Sequence, residues 1–168
     1  NALKAGEIDG IRLPNNDNIA EVESAGWTLQ SSEMEFQGLL LLDRDGTMAP
    51  ELADVRVRQA INLAFDREAM LTALQSGYGT VTEQVFPTHS DAYDEALDER
   101  YPYDPEQAKK LLAEAGYPDG FTLSMPSTTL LSSATFDLIE QQLNDIGITV
   151  QYTDTGATNF ISDLLAPK

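Results

Sequence analysis

The chain has 168 residues, with 28 acidic side chains against 10 Lys and Arg, a formal net charge of -18, 42% hydrophobic residues and no cysteine. This is one domain's worth of chain with enough apolar material for a core, and its acidity disfavours nucleic-acid binding and membrane binding through a basic face. The lack of cysteine excludes disulfides, thiolate catalysis and Cys-based zinc sites, and no apolar run approaches the roughly 20 residues of a membrane helix.

Residues 17–25 carry a weak helical pattern that Gly26 ends. Residues 27–29 and 35–42 read as strands, the second closing in the apolar run Gly38 to Leu42, which predicts burial on both faces. Asp54 is placed to cap a helix whose apolar face is Val55, Val57, Ala60, Ile61, Ala64 and Phe65. A second helix starts after Asp66, with Met70, Leu71 and Leu74 inward, and Gly77 and Gly79 break it. Residues 80–103 have no sustained period and read as a long irregular connection.

Asp104-Pro105-Glu106-Gln107 is a helix start, with a capping carboxylate, proline at the first position and Gln107 placed as in a capping box. Ala108, Leu111, Leu112 and Ala115 form its stripe. Gly116 and the turn Tyr117-Pro118-Asp119-Gly120 lead into a strand over 121–125. A further helix after Ser132-Ser133 uses Phe136, Ile139, Leu143 and Ile146, a strand follows over 148–152, and a short helix over 159–165 ends the chain. The helix, strand, helix, strand order predicts an α/β fold with a mixed sheet flanked by helices.

One motif suggests catalysis. Leu39-Leu40-Leu41-Leu42-Asp43-Arg44-Asp45-Gly46-Thr47 resembles the first motif of the haloacid dehalogenase-type phosphatases. In that family the first Asp is a nucleophile, the second an acid/base, and magnesium screens the charge. Asp43 and Asp45 would take those roles, giving a magnesium-dependent phosphatase as the alternative reading. The partner motifs are poor: Asp154 stands alone after its strand, and Lys109 and Lys110 sit inside an ordinary amphipathic helix. The same residues also suit a polar turn. A calcium loop lacks the spacing and the distal Glu.

Other residues have plain structural readings. Arg56 and Arg58 point to different sides of one helix and suit pairing with carboxylates. His89 has no neighbouring ligands for a metal, Trp27 suits packing, and the acidic residues from Asp91 to Glu99 suit a solvated stretch. No catalytic triad is spaced in the chain, and neither cofactor nor metal is expected.

A second stretch is more specific. Asp54-Val55-Arg56-Val57-Arg58-Gln59-Ala60-Ile61-Asn62-Leu63-Ala64-Phe65-Asp66-Arg67 resembles the signature of the family-5 extracellular solute-binding proteins, the peptide and nickel receptors of ABC importers. Gly6-Glu7-Ile8-Asp9, the run from Tyr103 to Tyr117 and Asp145-Ile146-Gly147-Ile148 appear around it in the family's order. The family commonly has Asn where Asp43 stands. The resemblance implies a non-enzymatic, periplasmic-binding-protein-like fold of two lobes that close on a peptide or other small solute. The solute then passes to ABC permease subunits, with the receptor periplasmic or extracellular, a monomer, and in some members a lipoprotein. Residues 1–168 would be a single domain, the second lobe, with Asn1-Ala2 an expression scar and the first lobe absent. The resemblance places the ligand-binding wall at Arg12, Phe36, Gln37 and Gln75.

Overall fold

The computed structural model of the chain describes residues 2–13, 16, 18–31, 35–156 and 159. Helix boundaries follow from capping side chains. Asp54, Asp66, Asp104 and Ser132 accept from the backbone N–H groups of Arg56, Ala69, Gln107 and Thr135, donors that a helix start leaves without partners. These caps open α2 (Val55–Leu63), α3 (Arg67–Gln75), α4 (Pro105–Glu114) and α5 (Ser133–Asp145). The earlier α1 (Ile19–Ser24) has no side-chain cap. At Asp104 the capping box is only half made, because the N–H of Asp104 donates to the carbonyl of Leu63 at 2.9 Å. The start of α4 is thereby pinned to the end of α2.

Strand β1 (Phe121–Ser127) pairs in parallel with β2 (Ile148–Asp154), Phe121 opposite Ile148 and Ser127 opposite Asp154. Helix α5 makes the crossover that a parallel pair requires. The core joins Val57, Ala60 and Ile61 of α2 to Ala108 and Leu112 of α4, Leu143 of α5, and Leu123, Ile148 and Val150 of the sheet. The expected α/β unit is therefore present, and both strands run two residues longer than expected.

Three expectations are corrected. Residues 27–29 and 35–42 form no strand among the described residues. Leu39 and Leu41 pack against the core, whereas Leu40 and Leu42 are 53% and 59% exposed. The four leucines thus alternate with period two, as a strand buried on one face does, and they lie beside no partner strand. Val55 is exposed; it starts α2 ahead of the turn that faces the core. On α3, Met70, Leu71 and Leu74 are only half-buried, since this helix lies at the margin of the core. The helix expected over 159–165 lies outside the described residues, apart from Asn159.

The long connection before α4 is irregular, with one short 3-10 turn at Glu95–Leu97, but it is tightly bonded. One oxygen of Asp98 accepts from the Thr82 hydroxyl, the Glu83 N–H and Gln84 Nε2 at 2.8, 2.9 and 3.0 Å, and the other from the Tyr93 hydroxyl at 2.6 Å. Gln84 is buried and exchanges hydrogen bonds with both backbone groups of Asp94. The segment is clasped to itself through one carboxylate.

Candidate functional site

Helix α3 ends where Ser76 enters the left-handed region at φ 54°. Gln75 is its last helical residue, so the Gln75 carbonyl has no intrahelical donor. That oxygen accepts from Tyr78 N–H and from Asn16 Nδ2, both at 3.0 Å. Asn16 Nδ2 also lies 2.9 Å from Gln75 Oε1, and Gln75 Nε2 donates to Gln37 Oε1 at 3.3 Å. Side-chain amides from three distant stretches of chain thus meet at the end of α3.

Phe36 precedes Gln37 and is 42% exposed. Its ring folds back over Gly38, where a Cβ would come within 2.4 Å of the ring; glycine gives the ring its seat. Arg12 reaches Glu35, the residue before Phe36, at 4.0 Å, with side chains 90% and 79% exposed. Of the four residues expected in the wall, Gln37 and Gln75 are in contact, Phe36 adjoins Gln37 in the chain, and Arg12 is tied to Phe36's neighbour. Asn16 was missed by sequence reasoning. It lies in a polar stretch without periodicity, and nothing in its surroundings in the chain points to α3.

The other candidates have structural work. Asp43 accepts from the N–H groups of Thr47, Met48 and Ala49 at 2.9, 2.7 and 2.7 Å, and those bonds, led by that from Ala49, hold its carboxyl below the ordinary value. Both oxygens are engaged in closing a turn, which is the reading opposed to a phosphatase nucleophile. Arg56 forks onto Asp54 and donates to the Glu114 carbonyl. Its side-chain hydrogen bond, followed by its N–H, brings the Asp54 pKa to about 2. Arg58 donates to the carbonyls of Leu52 and Ala53. His89, Asp91, Asp94, Glu95 and Glu99 are exposed and Trp27 is half-buried. Among the described residues no group of acidic, His or Cys side chains could hold a metal, and no helix is long and apolar enough to cross a membrane. A hollow of about 360 Å³ opens where α4 and α5 end, lined by Lys109, Tyr117, Asp119 and Asn144 among others. None of the four wall residues borders it.

Comparison with known proteins places the chain in a lineage. The pattern of bacterial extracellular solute-binding proteins, family 5, matches residues 1–164. Heme-binding protein A of Haemophilus influenzae is 38% identical over 119 residues, 71% of this chain and 21% of that protein. Glutathione-binding protein GsiB of Pectobacterium atrosepticum is 39% identical over 100 residues, 58% of this chain and 19% of that protein. Among solved structures, HbpA2 from Haemophilus parasuis superposes with a TM-score of 0.74 at 33% identity, covering 96% of this chain and 32% of that one. A dipeptide binding protein from Pseudoalteromonas in complex with Met-Leu does so at 0.62 and 29% identity, covering 71% of this chain and 24% of that one. The chain therefore spans about a fifth of these curated relatives and a third or less of these structures. Its sequence match over residues 1–164 and its superposition on these receptors make it a member of the family-5 bacterial extracellular solute-binding proteins.

Proposed function

We propose that this chain forms one wall of a solute-binding receptor that captures a peptide or similar small solute outside the membrane and hands it to the permease of an ABC importer. The wall is the cluster of Arg12, Phe36, Gln37 and Gln75, completed by Asn16. The observation that carries this reading is the meeting of side-chain amides at the end of α3 beside an exposed aromatic ring, within a chain matched to the family over residues 1–164. Amides both donate and accept, an aromatic ring offers an apolar face, and Arg12 supplies charge. The role is binding without chemistry: the carboxylate at the one catalytic-looking motif is spent on a turn. The receptor acts outside the membrane, in keeping with the family's description, and as a monomer, in keeping with a net charge of -18 that opposes self-association.

A cleft buries most of its ligand, whereas one wall leaves most of it in water. Titration of the chain with Met-Leu, followed by calorimetry and by the backbone amide resonances, is expected to give a dissociation constant of about 1 mM or weaker, with shifts at Phe36, Gln37 and Gln75. Tight binding to this chain alone, or shifts confined to other parts of the surface, contradicts the reading.

A further inference from the structure

Resting on that reading of the site, we propose that the wall grips its solute through an acceptor group, a carboxylate or carbonyl oxygen, and that Asn16 is the positioning residue that sets this preference. The Gln75 backbone carbonyl can only accept. Asn16 donates Nδ2 to it at 3.0 Å, which fixes the way the Asn16 amide faces. The same nitrogen lies 2.9 Å from the Gln75 side chain, so Gln75 turns its Oε1 toward Asn16 and its Nε2 outward. That Nε2 donates to Gln37 Oε1 at 3.3 Å, which leaves the Gln37 nitrogen as the outer end of the chain of amides. Among the described residues Gln37 Nε2 has no acceptor. One backbone carbonyl thus gives the three amides a common direction, and they end in a donor.

Arg12 adds a second donor-only group. Its one ion-pair partner among the described residues is Glu35, at 4.0 Å, both side chains largely in solvent. An exposed pair of this kind contributes little, so a ligand carboxylate displaces Glu35 at small cost. An acceptor on the solute therefore finds the Gln37 NH2 and, held at Glu35 two residues before it, the Arg12 guanidinium, whereas the Gln37 oxygen is already engaged by Gln75.

The test compares Met-Leu with its C-terminal amide on isotope-labelled chain, following the Gln37 side-chain NH2 resonances. The parent is expected to bind the free acid about tenfold more tightly than the amide, the scale of one hydrogen bond to a charged group, with the Gln37 NH2 signals moving most. Asn16→Asp removes the donor, so Gln75 and Gln37 turn over and the chain ends in an oxygen; the preference is expected to vanish or invert. Because that variant also adds charge, Asn16→Ser and Asn16→Ala form a neutral pair. Serine keeps a donor and the preference, and alanine loses it. Equal affinity for acid and amide in the parent, or a ratio that neither Asn16→Asp nor Asn16→Ala moves, overturns the proposal. Shifts at Phe36 and Gln75 with the Gln37 NH2 unmoved overturn it while leaving the binding reading intact, whereas shifts confined to other parts of the surface, or no shift anywhere with either peptide, overturn both.

Discussion

A Cβ added at Gly120 would stand 1.8 Å from the carbonyl oxygen of Gly147, at φ 75°. The two glycines let the turns entering β1 and β2 touch, and Phe121 N–H donates to that same carbonyl at 3.3 Å. Gly120→Ala must move backbone at the start of the sheet, and we expect a loss of about 2–4 kcal/mol in denaturant unfolding; an unchanged midpoint would show that the turns can part freely. Asp43 illustrates the opposite case of a residue whose chemistry is legible and whose role is not. Its sequence neighbourhood suits a nucleophile at the end of a strand, but the N–H groups that engage it come from four, five and six residues ahead. The turn geometry that gathers them is invisible in composition or period.

Among the elements, the helices were the most legible. A cap and an apolar stripe are local signals, and Asp54, Asp66, Asp104 and Ser132 all cap where they stand. The apolar run before Asp43 misled because an unbroken run implies two buried faces only where neighbours cover both. The clasp at Asp98 was unreadable, since its partners Thr82, Gln84 and Tyr93 carry no pattern. Burial raises the Asp98 carboxyl, but the Tyr93 hydroxyl, the Gln84 amide, the Glu83 N–H and the Thr82 hydroxyl together hold it well below the ordinary range. The clasp's contribution is therefore present above the unfolded carboxylate value of about 4 and falls away as acid protonates Asp98. The hydrogen bond to Asp98, then burial, pushes Tyr93 up to about 12 from 10.0, so its share is complete below pH 10 and lost as pH rises toward 12. Glu83 acts in the other sense, its carboxyl raised by burial against the Tyr101 N–H and Arg67. Ultraviolet titration should show Tyr93 ionising late in the parent and Asp98→Asn bringing it back toward 10. Identical curves would mean that the hydroxyl does not donate to this carboxylate.

At the scale of the whole molecule, the α/β unit from Pro105 to Tyr152 was open to inference, because each apolar stripe needs a facing surface, whereas its packing on α2 carries no local signal. The proposed wall has family resemblance as its only source in the sequence. Arg12, Phe36, Gln37 and Gln75 belong to three separate stretches; the end of α3 joins Gln75 to Asn16 and Gln37, and Glu35 ties Arg12 to the residue before Phe36. The central claim is that these residues face the solute. Isotope-filtered NOE spectroscopy on the labelled chain with unlabelled Met-Leu tests it directly. Contacts from the ligand methyl groups to the Phe36 ring and the Gln37 and Gln75 side chains are the expected result, and contacts confined to the hollow at Tyr117, Asp119 and Asn144 would contradict it.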